Sequence, residues 1–146
     1  MKDALKFFQA YIEEMIETGG ENLPKTISAR LGAKLARIYK KKGINKAEDG
    51  LKQSYKVIKA RPKFDIINKN TIEVTIGHRK RFCPIGGNFK PEKAEIIQES
   101  ICKPYTLGFL NELNPDFKFK AFVKKCIVRD KGKVCRYTLQ KEKTNT

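Results

Sequence analysis

The apolar residues of this chain change their spacing three times, and that succession of periods restricts its fold more than any other feature. Up to about residue 60 they recur every three or four positions, as on one face of a helix. After Pro62 they alternate, as in a strand; after Pro91 the helical period returns; from Phe117 the alternation resumes. Helices, then paired strands, then helix, then paired strands do not make a helical bundle. Nor do they supply the strict strand-helix-strand order that a parallel sheet needs. The expected class is α+β, an antiparallel sheet of two hairpins packed with about five helices. A length of 146 residues suits a single domain over residues 1–146.

Local signals set the boundaries. Leu5, Phe8, Ile12, Met15 and Ile16 mark an amphipathic helix over residues 3 to 18, stopped by Gly19-Gly20. Asn22 and Pro24 open a second helix, which carries Ile27, Leu31, Leu35 and Ile38 and stops at Gly43. On it Ser28, Gly32 and Ala36 stand four apart, a row without bulk that suits close helix packing or the seam of a symmetric homodimer. Asn45 and Glu48 have capping-box spacing for a third helix reaching about Ala60. Phe64 to Ile67 and Thr71 to Ile76 read as strands joined through Asn68-Lys69-Asn70, and Gly77 to Lys90, rich in turn formers, as a structured loop. Pro91 opens a helix with Ala94, Ile97 and Ile101, which Pro104 kinks or restarts through Leu107, Leu110 and Leu113. The last hairpin takes Phe117, Phe119, Ala121 and Val123 on one strand, turns at Asp130-Lys131-Gly132-Lys133, and returns through Val134 to Gln140. Lys141 to Thr146 are expected to fray.

No stretch approaches the roughly eighteen apolar residues of a membrane helix. The start, Met1 to Lys6, is charged and unlike a secretory signal, so the expected setting is the cytoplasm. The formal charge of +16 is concentrated in residues 23–90. Arg30, Lys34, Arg37 and Lys41 form a stripe there, with Lys52, Lys56 and Lys59 on the following helix, which makes a nucleic acid one candidate partner. Neither helix carries the Asn, Gln and Arg mixture that reads base edges, and a lysine-rich face is also what an ordinary solvated surface looks like.

Four cysteines, Cys83, Cys102, Cys126 and Cys135, bear on the chemistry. Inside a cell such residues are more often metal ligands or reactive thiols than disulfides. A hairpin turning about Lys131-Gly132 opposes Val128 to Cys135 and Cys126 to Tyr137, which puts Cys126 and Cys135 on one face, roughly 7 to 8 Å apart along a diagonal. Cys102 stands at a helix break and Cys83 in the loop Cys83-Pro84-Ile85-Gly86-Gly87, places where the backbone can bend to aim a side chain. Four thiolates suit a closed tetrahedral zinc site; buried inert cysteines and disulfides are the alternatives. Catalytic groups are scarce. His78 is the single histidine and sits beside Arg79-Lys80-Arg81, with no nucleophile-base set or phosphate-cradling loop around it, so an enzyme is not expected.

The run Cys102-Lys103-Pro104-Tyr105-Thr106-Leu107-Gly108-Phe109-Leu110, followed by Cys126-Ile127-Val128-Arg129-Asp130-Lys131-Gly132-Lys133-Val134-Cys135-Arg136-Tyr137, resembles the C-terminal signature of the 4-vinyl reductase domain family. Ala29 to Leu35 is similar to that family's glycine-bearing helix. The resemblance covers about residues 5 to 140. It implies the fold common to small-molecule sensor domains of aromatic-responsive bacterial regulators and to vesicle-tethering subunits. It also implies metal ligands at Cys102, Cys126 and Cys135. The family's zinc-bearing members use a Glu three residues before the hairpin cysteine; here Val123 stands there, and Cys83 is the candidate replacement. Together with the scarcity of catalytic groups, this gives the leading expectation of a non-catalytic, zinc-containing domain that binds a small hydrophobic or aromatic molecule in a pocket lined by residues such as Phe109, Phe119 or Tyr137; the basic residues keep a nucleic-acid-binding protein as the alternative.

Overall fold

The structure, a computed structural model, describes residues 2–20, 22–57, 60–77, 92, 94–130 and 132–144. Three helices come first: α1 (Lys2–Gly19), α2 (Asn22–Lys41) and α3 (Ala47–Val57). The glycine stops act as expected, since Gly20 and Gly43 take φ of 67° and 86°, a region costly for any residue with a Cβ. On α1, Ile12 is buried while Met15 and Ile16 are half-buried. Strands β1 (Arg61–Asn68) and β2 (Thr71–Gly77) form the first hairpin. The chain then passes through α4 (Ala94–Ile97), a π-helical turn (Gln98–Cys102) and α5 (Lys103–Leu113), and closes with β3 (Phe117–Lys125), a single helical turn α6 (Ile127–Asp130) and β4 (Val134–Lys143).

The two hairpins join into one antiparallel sheet of order β1-β2-β4-β3, so the α+β reading holds. Alternation sorts the side chains. Phe64, Val74, Tyr137 and Val123 align across the four strands, as do Ile66, Ile72, Leu139 and Ala121. With Ile76 and Phe119, the Phe64, Val74 and Tyr137 of the first row and the Ile72, Leu139 and Ala121 of the second meet α2, α3 and α5 in one core, while Val123 packs on the smaller cluster of Ala94, Cys126 and Ile127 and Ile66 is 71% exposed. The opposite face is polar, with Arg136 donating to Thr75 at 3.1 Å and lying 3.6 Å from Glu73. Proline stands in β1 at Pro62, a position that an edge strand accepts because it can leave one backbone donor out of the ladder.

The face of α2 turned inward is not the one its large residues suggest. Leu31 and Ile38 are about half exposed, at 51% and 50%, while Pro24, Ser28, Gly32, Ala36 and Tyr39 are buried. The small row lies against α5. A Cβ on Gly32 would stand 2.2 Å from the Tyr105 carbonyl oxygen, and one on Gly108 would stand 2.3 Å from that of Ala29. Two glycines thus face each other's helix at a crossing too close for any side chain. The row is occupied within the chain, so a homodimer has to use another surface.

Helix α3 is described through Val57; residues 58 and 59 lie outside the described residues, and Ala60 is buried and donates its N–H to the Tyr55 carbonyl at 3.0 Å. Two further expectations are corrected. The C-terminus is ordered through Lys143, paired with Phe117, and Thr144 donates to the Asp116 carbonyl at 2.9 Å. Pro104 stands in the first turn of α5, as the restart expected there, but the chain enters α5 through a π-helical turn rather than a break. Lacking an N–H and crowding the carbonyl four residues back, it is accommodated by widening the preceding turn, where the Lys103 N–H bonds Gln98 O in the i→i+5 pattern.

Candidate functional site

The described core contains one polar feature that crosses it. Tyr55, on α3, and Tyr137, on β4, join hydroxyl to hydroxyl. Tyr137 is buried and Tyr55 half-buried. They meet because Tyr55 follows the buried Leu51 by one helical turn, while Tyr137 points inward from the row shared with Val74. Burial pushes both phenols well above the ordinary tyrosine range, and the nearby Cys102 and Cys135 raise them further. Burial likewise pushes Tyr105 up to about 12. All three are therefore neutral donors at ordinary pH.

Two expected outcomes follow from this pair. Replacing either tyrosine by Phe leaves the other hydroxyl buried without its partner and costs about 1–3 kcal/mol, whereas the double variant, which removes both polar groups, returns close to wild type. Urea unfolding of the four proteins measures this cycle. Because the folded-state pKa values lie above the unfolded value of 10.0, the stabilisation is complete below pH 10 and is lost as pH rises toward 12 and beyond. Tyrosinate absorbance and circular dichroism should therefore change together in that window.

The cysteines are partly gathered. Cys126 is buried with Ala94 and Ile127, and Cys135 and Val123 pack on the same cluster. Cys135 also packs on the main core, on the side where Cys102, at the end of the π-helical turn, acts on the tyrosine pair. The expected register is corrected. Val123, not Cys126, opposes Tyr137, and after an irregularity Lys125 pairs with Arg136. Cys126 thus leaves the strand one residue past the last pair, level with Cys135. A helical turn, α6, comes before the expected turn, whose Lys131 lies outside the described residues; in it the Asp130 carboxylate accepts the Cys126 N–H at 2.9 Å and Arg129 reaches the Lys124 carbonyl at 2.7 Å. The Arg129 guanidinium and that backbone bond hold Asp130 below the usual carboxylate range.

Among the described residues, no group of three or more His, Cys, Asp or Glu side chains is gathered so as to hold a metal ion. Cys83, with the whole expected loop from His78 onward, lies outside the described residues, so the proposed set of four is described only in part.

The three aromatic residues expected around a ligand belong to a single core. Phe109 is 1% exposed and meets Tyr39 edge to face at 5.7 Å; Phe119 and Tyr137 lie in the same cluster. An apolar cleft between α3 and the sheet, lined by Leu51, Phe64, Ile72, Phe119 and Leu139, holds about 10 Å³, room for one water. Spacing did not reveal Tyr55, since its partner stands 82 residues away. It also passed over Gln98 and Ser100, polar residues set among the buried Ala94, Ile97 and Ile101, although that interruption was visible. The expected basic residues are partly engaged within the chain. Arg37 pairs with Glu112 at 3.0 Å and Lys52 lies over the Phe64 ring, while Lys40, beside the stripe, reaches the Glu112 carbonyl. Lys59 is outside the described residues. No described helix is long and apolar enough to cross a membrane.

No family model matches the chain, and no curated protein matches it. Solved structures do. The trafficking protein particle complex subunit 3 of Naegleria fowleri, covalently bound to palmitic acid, superimposes with a TM-score of 0.69 at 10% identity, over 96% of this chain and 93% of that one. The phenol-responsive sensory domain of the transcription activator PoxR, with phenol, gives 0.58 at 13% identity, over 93% of this chain and 73% of that one. At such identities the likeness establishes the fold alone.

Proposed function

We propose that this chain is a non-catalytic binding domain of the 4-vinyl reductase kind, taking a small hydrophobic or aromatic molecule into the core between α3, α5 and the sheet. The observation that carries the reading is the fold match along nearly the whole chain to two domains solved with apolar-bodied molecules, phenol and palmitic acid. The cleft lined by Phe119 and Leu139 is where such a molecule would enter, by moving α3 away from the sheet. Helix α3 can yield because it is short, and Gly50 rather than a side chain meets Phe109 and Leu113. A ligand that binds only the folded chain stabilises it by about 2.7 kcal/mol at roughly 100 times its dissociation constant. Thermal unfolding with phenol, and separately with palmitic acid, is expected to show a rise of several degrees with one of them. No rise with either sinks the reading.

A structural zinc ion held by Cys83, Cys102, Cys126 and Cys135 is a separate proposal, supported by the residue types and by the cluster that Cys126 shares with Cys135. Thiolates must lose protons to bind zinc, so affinity falls as pH drops. Elemental analysis of untreated protein should find one equivalent, lost from Cys126→Ser and Cys135→Ser; metal-free protein with all four thiols reactive rules the site out. Retention of zinc at unchanged affinity in Cys83→Ser removes that residue from the set.

A further inference from the structure

Among the described residues, β1 is one outer strand of the sheet and pairs with β2 alone. The two outer strands differ in charge. At the other end β3 carries Lys118, Lys120, Lys124 and Lys125 and no acidic residue, a pattern that keeps a further strand from adding to it. On β1 one lysine and one aspartate, Lys63 and Asp65, stand on the polar face with the half-buried Phe64 between them on the inner one. Next come two large apolar residues open to solvent, Ile66 at 71% and Ile67 at 58%. Ile66 belongs to a row whose other members, Ile72, Leu139 and Ala121, are in the core, so its exposure marks where the covering of the inner face stops short of the edge.

Pro62 fixes which backbone groups face outward. Without an N–H it cannot exchange two hydrogen bonds with Ile76, so the pairs that do so with β2 are Arg61–Gly77, Lys63–Thr75 and Asp65–Glu73. Phe64, of the same parity as Pro62, therefore turns its N–H and C=O toward the edge. We infer that this edge pairs with the same edge of a second copy of the chain, antiparallel about a two-fold axis at Phe64, joining two four-stranded sheets into one.

The charges select that register. A two-fold axis perpendicular to the sheet keeps both inner faces on one side and pairs residues of like parity. Over Arg61–Asn68 the longest overlaps put the axis at Phe64 or at Asp65. The axis at Asp65 opposes two aspartates, and one moved the other way, to Lys63, opposes two lysines. With the axis at Phe64, each Lys63 faces Asp65 of the other copy on the polar face, each exposed Ile66 faces Pro62 on the inner face, and the two Phe64 rings meet at the axis. Opposite charges and aromatic rings directly across a strand pair stabilise it, and like charges there oppose it. The surface is thus complementary to itself, as a closed dimer requires.

One strand pair is a small interface, so sedimentation velocity of the full chain from about 10 μM to about 1 mM should show monomer passing into dimer. Lys63→Asp and Asp65→Lys each set like charges against one another twice and should weaken the dimer about ten-fold. The double variant Lys63→Asp/Asp65→Lys restores opposite charges across the axis and should dimerise as wild type does. Both side chains lie on the polar face, and circular dichroism checks the fold of each variant. Should a variant fail to fold, hydrogen exchange of wild type decides: the Phe64 N–H should exchange fast in dilute protein and slow as the dimer forms. Wild type that stays monomeric at the highest concentration, or grows beyond a dimer, overturns the inference. So does a dimer indifferent to the single reversals, or one the double variant does not restore. A Phe64 N–H already protected in the dilute monomer also overturns it, since the edge would then be covered from within the chain.

Discussion

Gly32→Ala should destabilise this protein by about 3 kcal/mol or more, although alanine is the better helix former by about 1 kcal/mol. The added methyl would stand 2.2 Å from the Tyr105 carbonyl oxygen and 2.8 Å from the Phe109 nitrogen, and backbone atoms of a helix cannot turn aside as a side-chain end can. Only separation of α2 from α5 relieves the contact. That separation loosens the main helix pair of the domain, on which Ala36 and Leu110, both 0% exposed, depend. Gly108→Ala meets the mirrored obstacle at Ala29, 2.3 Å from its carbonyl oxygen. Once one methyl has parted the helices the second finds room, so the double variant should cost clearly less than the sum. Urea denaturation of the three variants measures both effects. A Gly32→Ala protein as stable as wild type would mean that the crossing opens freely and that its closeness is not what holds the helices.

Phe109→Ala is expected to cost about 3–5 kcal/mol, the range for emptying a buried aromatic site. The reason is the number of elements that rest on one ring. Phe109 is 1% exposed, meets Tyr39 of α2 edge to face, and lies under Gly50 of α3, where an added Cβ would stand 3.0 Å from its Cζ. Its loss removes the floor beneath two helices at once. A stability of about 5–15 kcal/mol, usual for single domains, leaves such a variant near its unfolding threshold at body temperature. Phe122→Ala, on the outer sheet face and 44% exposed, should cost far less and serves as the control. Thermal unfolding with near-ultraviolet circular dichroism reads both. If the two substitutions prove equal, the core does not lie where the burial pattern puts it.

The contrast between these two phenylalanines could be anticipated only in part from the sequence. Alternation along Phe117 to Val123 correctly sends Phe119 inward and Phe122 outward, because a strand's two faces are fixed by parity alone. On α2 the large apolar residues mislead in part, while the close packing expected of the small row holds. A helix has no parity, and two stripes compete there, one of Ile27, Leu31, Leu35 and Ile38, of which Leu35 packs on the core, the other of Ser28, Gly32 and Ala36. The larger residues offer more apolar area, yet the small ones win because Gly108 on α5 lets the backbones touch, and close packing over a long crossing outweighs a few half-exposed side chains.

The hairpin register is a second instance. A period of two does not change when a strand slips by two residues, so alternation cannot say where β3 ends. The end is decided by Asp130 and Arg129, which bind the backbone at Cys126 and Lys124 and fold the chain into α6 before the turn. For that reason Cys126 sits level with Cys135, and the diagonal relation derived from an unbroken ladder is replaced.

By itself the sequence determined the class and order of the elements, their glycine stops and the inner face of each strand, since these depend on dihedral preferences and on spacing between near neighbours. Only the tertiary structure decided which face of α2 is buried, that Tyr55 finds Tyr137, and that Gln98 and Ser100 lie buried. Each of those depends on residues far apart in the chain being brought into contact, and contact over such separations is an outcome of packing the whole domain, to which no local period is sensitive.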